Sequence, residues 1–117
     1  MTDNLRELTK IEELEDLLVQ SKDHPVLIFK HSLTCPISSD AFEEFQRYLC
    51  NPAAGISYSV ITVQNSRDVS DEAARKLGIE HESPQAILVV NGSGIWSASH
   101  FRITSEAIHA AISQAIE

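Results

Sequence analysis

Val26-Leu27-Ile28-Phe29-Lys30-His31-Ser32-Leu33-Thr34-Cys35-Pro36-Ile37-Ser38 is the stretch whose reading decides the fold. Val26 to Lys30 is a short apolar run bounded by Pro25 and by polar residues, which predicts a strand buried on both faces. Pro36 predicts the first residue of a helix, where its missing N–H costs nothing. Phe42, Phe45 and Leu49 recur at helical spacing with Ala41 and Tyr48 beside them, so the helix is expected over about 36–50. It should end before Asn51-Pro52-Ala53-Ala54-Gly55. Cys35 then stands at the helix N-cap.

On the N-terminal side, residues 1–8 read as a loose arm. Thr9-Lys10-Ile11-Glu12 has a capping-box pattern, and Ile11, Leu14, Leu17 and Leu18 form one helical stripe. That helix should stop before Asp23-His24-Pro25. On the C-terminal side, Tyr58 to Val63 is β-branched and aromatic, hence a strand. Ser70 is expected to cap a short helix holding Ala73, Ala74 and Leu77, closed by Gly78. Ala86 to Val90 and Ile95 to Ser99 predict two antiparallel strands around the turn Asn91-Gly92-Ser93-Gly94. Thr104 should cap a last helix with Ile108, Ala111, Ile112, Ala115 and Ile116 facing inward. The order α-β-α-β-α-β-β-α, with a right-handed β-α-β crossover, predicts an α/β domain. Its core is a four-stranded mixed sheet with helices on both faces.

The 117 residues fit one domain spanning 1–117. A chain of this size buries roughly two-thirds of its unfolded surface. Apolar residues at 43% and charged residues at 22% are ordinary for a packed globule, which argues against a disordered chain. No apolar run approaches the ~20 residues of a membrane span. The acidic N-terminus has no apolar core of a signal peptide, so the expected compartment is the reducing cytoplasm. Nine Lys and Arg against seventeen Asp and Glu give a net charge of −8. Such a surface repels phosphate backbones and anionic membranes, so neither nucleic acid nor membrane is an expected partner.

Cys35 is the sharpest chemical feature. A helix N-terminus offers unpaired N–H groups and the positive end of the dipole, and both favour the nucleophilic thiolate. The N–H groups of Ile37 and Ser38 are expected to point at the sulfur, with the Ser38 hydroxyl as a third donor. Asp40, Glu43 and Glu44 oppose this but should lie in screened solvent. The rival reading is a buried, inert cysteine, and a loop-to-helix junction is a poor place to bury one. Ser38 stands where a C-x-x-C pair would place its second thiol, so the site holds one thiol and needs an external one to resolve a mixed disulfide. Cys50 lies about 22 Å along the helix, beyond disulfide reach, and reads as half-buried packing. Tyr58 and Trp96 read as core or cross-strand residues. The histidines are scattered, and Cys35 with His31 does not make a metal site. Neither a Cys-x5-Arg phosphatase loop nor a Pro-x-x-x-Thr-x-x-Cys peroxidase pattern is present.

A strand, then Cys-x-x-Ser opening a helix, then a proline ahead of a hairpin resembles a thioredoxin-fold protein. Lys30-His31-Ser32 with Thr34-Cys35-Pro36-Ile37-Ser38, His81-Glu82-Ser83-Pro84-Gln85 and Trp96-Ser97-Ala98-Ser99-His100 resembles the monothiol bacilliredoxin family of the bacillithiol system. The resemblance runs from about Val26 to Thr104 and implies removal of bacillithiol from protein mixed disulfides. It makes Cys35 the attacking thiol, supported by Thr34, Pro36 and Ile37, with Ser38 where dithiol relatives keep a resolving cysteine. Pro84 would be a cis-proline beside the sulfur. Ser83 would offer its backbone to an incoming peptide, with Gln85 in the same substrate-binding segment. The implied partners are S-thiolated proteins, a low-molecular-weight thiol as co-substrate and a disulfide reductase, with no bound cofactor. Two other readings stay open. One is a monothiol iron–sulfur carrier, although Pro36-Ile37 replaces the usual Gly-Phe of such sites. The other is a non-enzymatic, redox-sensing interaction module.

Overall fold

Strand β2 (Val26–His31) runs through the middle of the sheet, and everything else is arranged about it. The computed structural model describes residues 5–116. The elements in chain order are β1 (Leu5–Glu7), α1 (Ile11–Gln20), β2, α2 (Pro36–Leu49), β3 (Ser57–Thr62), α3 (Arg67–Leu77), β4 (Gln85–Val90), β5 (Ser93–Ser99), a 3₁₀ turn (His100–Arg102) and α4 (Ser105–Ala115). This is the expected α/β architecture of a mixed sheet with helices on both faces. Among the described residues the sheet has five strands rather than four, in the order β1-β3-β2-β4-β5.

The extra strand lies in the segment expected to be a loose arm. Leu5, Arg6 and Glu7 pair in parallel with Tyr58, Ser59 and Val60. Leu8 is fully buried, and its N–H donates to the Val60 carbonyl (2.9 Å). Three residues, two of them charged and exposed, carry no period for a sequence reading to detect. Residues 1–4 of that arm lie outside the described residues.

The period of two along β2 divides the core. Leu27 and Phe29 face α2 and α4, where they meet Phe45, Leu49, Ile108 and Ile112. Val26 and Ile28 face α1 and α3, where they meet Leu14, Leu17, Val69 and Ala73. All four β2 residues are fully buried, as the uninterrupted apolar run predicts. Phe29 stacks on Phe45 with ring centroids 5.1 Å apart, so Phe29→Ala would cost about 3–5 kcal/mol.

Several boundaries move. Helix α1 starts one residue later than expected, because Glu13 rather than Glu12 reaches back, accepting from the N–H groups of Thr9 (2.8 Å) and Lys10 (3.1 Å). Helix α3 is capped at Ser66, not Ser70, which is buried inside the helix. Gly78 does close α3, in the left-handed region at φ +65°. The β4–β5 turn is only Asn91-Gly92, both with positive φ, so β5 begins at Ser93. Thr104 caps α4 by accepting the Ala107 N–H (3.0 Å). Ile108 and Ile112 face inward, but Ile116 is half exposed because the helix ends before it.

Two features of the ladder position the site. Lys30 pairs with Gln85 and Val26 with Val89, so the end of β2 lies beside the start of β4. On the other side of β4, Leu88 pairs with Trp96 and Val89 with Gly94, which leaves Ile95 as an inserted residue in β5.

Candidate active site

The chain leaves β2 and turns through Ser32-Leu33-Thr34 before Cys35 caps α2 with extended backbone angles (φ −108°, ψ 118°). Cys35 is a partly exposed free thiol at the helix N-terminus. Its carbonyl accepts the N–H groups of Ser38 (3.0 Å) and Ser39 (3.2 Å), while its side chain takes no capping hydrogen bond. The Ser38 N–H therefore closes the first helical turn instead of pointing at the sulfur, contrary to expectation. Pro36 supplies the first helical residue and is exposed, Thr34 is exposed, and Ile37 is half-buried.

Ser38 also differs from expectation. It is fully buried, and its hydroxyl accepts the Ser32 N–H (2.9 Å) and lies 2.8 Å from His31 Nδ1. The hydroxyl serves the strand-to-helix turn, so it is not a third donor to the sulfur. His31 stacks on Phe42 (centroids 4.7 Å apart), and burial holds its pKa below the usual histidine range. Gln64, just beyond β3, closes the same turn from outside. Its side chain accepts the Leu33 N–H (3.0 Å) and donates to Ser32 Oγ (2.9 Å) and Thr34 Oγ1 (3.2 Å). Sequence reasoning missed both His31 and Gln64. Strand parity carried a signal for His31, which lies two and four residues after the inward-facing Phe29 and Leu27. No local pattern marks Gln64, whose role depends on the β2–β3 pairing.

The register brings the loop before β4 to the same end of the sheet. The Ser83–Pro84 peptide is cis, and the His100 N–H donates to the Pro84 carbonyl (3.2 Å). Ser83 Oγ is shielded from solvent and has no hydrogen-bond partner among the described residues. Gln85 is buried, and its side chain folds back to accept the Glu82 N–H (3.4 Å) and donate to the Glu80 carbonyl (3.0 Å). Gln85 thus shapes the loop from within rather than facing outward. A cleft of about 370 Å³ opens along the first turns of α2, between Ile37, Asp40 and Glu44 and the turn residues His100, Phe101 and Ile103.

A family description, monothiol bacilliredoxin BrxC, matches residues 6–108, which include both the Cys35 turn and the Ser83-Pro84 loop. The chain belongs to the monothiol bacilliredoxin family. A solved structure described as having a thioredoxin fold is 34% identical to this bacilliredoxin. It aligns with a TM-score of 0.80, over 97% of this chain and 94% of the other. Thioredoxin from Fasciola hepatica shares 14% identity at a TM-score of 0.73, covering 93% of this chain and 97% of its own. Schistosoma mansoni thioredoxin shares 22% at 0.72, covering 94% and 96%. Those two show the fold alone.

In this bacilliredoxin a free thiol at a helix N-terminus and a cis-proline loop stand at the same end of the sheet. Cys50 stands at the other end of α2 and is exposed, not half-buried as expected. Among the described residues no three His, Cys, Asp or Glu side chains lie close enough to hold a metal ion. No helix among them is long and apolar enough to cross a membrane.

Proposed function

We propose that this bacilliredoxin removes a low-molecular-weight thiol of the bacillithiol type from protein mixed disulfides by a one-thiol mechanism. The Cys35 thiolate attacks the sulfur of the small thiol in the mixed disulfide. A Cys35–small-thiol disulfide forms, and the target protein leaves as a thiolate that takes up a proton. A second molecule of the small thiol, as its thiolate, then attacks the adduct. Cys35 is freed and the symmetric small-thiol disulfide is released, to be reduced elsewhere by a disulfide reductase. The reducing cytoplasm suits this cycle.

The observation that carries the reading is the absence of an internal resolving thiol. The chain has two cysteines. The position three residues after Cys35 holds a serine whose hydroxyl is engaged by His31 and Ser32. Cys50 lies across the full length of α2. An adduct on Cys35 thus persists until an external thiol arrives. The cleft between Ile37 and Phe101 begins two residues after Cys35 on the same helix and offers a target protein a partly apolar seat. Its acidic side chains suit targets with neutral or basic faces around the modified cysteine.

The test is intact mass. The protein is mixed with one equivalent of a carrier protein bearing bacillithiol on its only cysteine. The expected result is transfer of one bacillithiol to Cys35 and recovery of the free carrier thiol. An unchanged carrier, with Cys35 reduced and reactive toward iodoacetamide, would refute the assignment.

A further inference from the structure

Lys30 is the last of the buried run of β2, and it is fully buried although it is a lysine. Alternation along the strand places it on the α3 side with Ile28. Its Nζ donates to the Ser70 carbonyl in α3 (2.9 Å) and lies 3.2 Å from His81 Nδ1. Ser70 Oγ lies 3.2 Å from the same nitrogen. An ammonium can only donate, so Nδ1 accepts and the neutral His81 ring carries its hydrogen on Nε2. Lys30 thereby ties β2 and α3 to the loop that carries the cis-proline.

Among the described residues that loop has three other holds, one of them the Glu82 carboxylate, which lies 3.6 Å from His100 Nδ1 and can pair with that ring when it is protonated. The Gln85 side chain bonds only within it, to Glu80 and Glu82. The His100 N–H holds the Pro84 carbonyl from the β5 side. His81 is the hold from the helix side. Among the described residues no carboxylate forms an ion pair with Lys30, and Asp71 acts on it only through its charge. What the buried amine adds over an apolar side chain of the same length is therefore its directed hydrogen bonds.

We propose that Lys30 and His81 are a positioning pair that fixes the Ser83-Pro84 segment for docking of the thiolated protein target. The pair works while Nδ1 of His81 is free to accept. This deepens the proposed function and rests on it for the identity of the target. Protonating His81 replaces the acceptor with a second donor and sets a positive charge against Lys30, which breaks the contact. Burial first, and the charge of Lys30 second, hold the His81 pKa below 6.5, so the ring is neutral at pH 7. The other charges facing it are Asp71, which opposes that shift, Arg67, which adds to it, and Glu82, which opposes it. Loss of the contact therefore falls at a pH below 6.5. There is no matching alkaline loss, because a neutral Lys30 amine still donates.

The experiment compares the full-length protein with His81→Gln and Lys30→Met. KM and kcat for removing bacillithiol from the carrier protein are measured between pH 5 and 8. Iodoacetamide alkylation of Cys35 and hydrogen exchange of the Ser83 and Gln85 amides are followed in parallel. In wild type, KM is expected to rise about fivefold on the acid side and amide protection to fall about tenfold, as one directed hydrogen bond is lost. In His81→Gln, a non-titrating oxygen accepts from Lys30, and both acid changes should vanish. Lys30→Met should raise KM about fivefold at pH 7 with little change in kcat or in alkylation rate. An acid loss in His81→Gln equal to that of wild type would overturn the pair. His81 is partly exposed, so that variant settles the matter even if Lys30→Met does not fold. Should wild type remove no bacillithiol at all, the functional reading fails alone. Amide exchange then still judges the pair.

Discussion

Helix α2 begins on one cysteine and ends on another, and its two ends are built to opposite ends. At the N-terminus, the turn that carries Cys35 is held by polar side chains: buried Ser38 bonded to His31 and Ser32, and Gln64 clasping the turn from outside. Nearby Lys30 is buried with no carboxylate partner among the described residues. At the C-terminus, the Ala53 N–H donates to the Tyr48 oxygen (3.1 Å), and Tyr58 donates to the Ala53 carbonyl (3.2 Å). Tyr48 and Tyr58 share the third hydrogen bond (2.7 Å), closing a small ring in which every polar group is paired. Cys50 sits outside that ring in solvent. The helix dipole sharpens the contrast, since it favours a thiolate at the first end and disfavours one at the last. One end is arranged for chemistry at some cost in stability, the other for stability alone.

The largest expected effect falls on the first end. Cys35→Ala should lower transfer of the small thiol by at least about 10³-fold, because no second nucleophile can replace it. The loss of fold stability should stay within the ~0.5–2 kcal/mol of an altered helix cap. Full activity in this variant, read by intact mass of the carrier, would erase the distinction between the two ends.

Next comes Ser38→Cys. The introduced thiol stands where C-x-x-C proteins close their disulfide, with His31 beside it. After one equivalent of oxidised small thiol, the variant is expected to show an internal disulfide by mass, whereas wild type shows a stable adduct. An adduct that persists in the variant would mean that the buried face of residue 38 cannot reach the Cys35 sulfur.

Lys30→Met tests the claimed cost. Burial lowers the Lys30 pKa from 10.5 to about 8. Between those values the unfolded chain holds more proton than the folded one, so stability rises with pH across that window. Below it the full penalty applies, about 3 kcal/mol at ~1.4 kcal/mol per unit. Neither partner is orphaned by the change, since Ser70 Oγ still faces His81 Nδ1 and the Ser70 carbonyl lies within α3. The variant is expected to be at least as stable as wild type in urea at pH 7, and to lack the rise toward pH 10. A clear destabilisation at pH 7 would show that Lys30 supports the fold.

Tyr58→Phe opens the ring at the other end. It should cost about 1–3 kcal/mol, since the Ala53 carbonyl loses its buried donor. Transfer activity at 25 °C should be unchanged. The smallest effect is that of Cys50→Ala, expected to keep turnover within about twofold, as befits an exposed residue. A larger loss without unfolding would give Cys50 a part in the redox cycle.

The legible and illegible parts of the sequence divide by range. The β2 run, Pro36 at the helix start and the Asn91-Gly92 hairpin are local signals with strong steric causes; the first two appear where expected, and the hairpin turn is two residues shorter than the Asn91–Gly94 turn expected. Ser66 and Ser70 are both competent caps, and only the packing of α3 chooses between them. Strand β1 exists because Leu8 is pulled into the core beside it, which no three-residue pattern reveals. At the candidate site, Cys35 and Ser38 could be named from the residues, and Pro84 only through the family resemblance. The direction of the Ser38 hydroxyl could not, because it is set by His31 and Ser32 after the turn has formed. Lys30 fell within the run read as buried on both faces, but its partners Ser70 and His81 lie far along the chain and no local pattern announces them.

The inserted Ile95 in β5 has a consequence for how these molecules keep apart. β5 is a sheet edge of seven residues, Ser93 to Ser99, with neither charge nor proline to discourage a second strand from pairing with it. The bulge breaks the even spacing of its outward N–H and C=O groups and bends the strand. The net charge of −8 also drives copies apart, but that repulsion fades as salt shortens the Debye length. The bulge is insensitive to salt, so protection of this edge against strand-to-strand association should survive at ionic strengths where charge repulsion no longer acts.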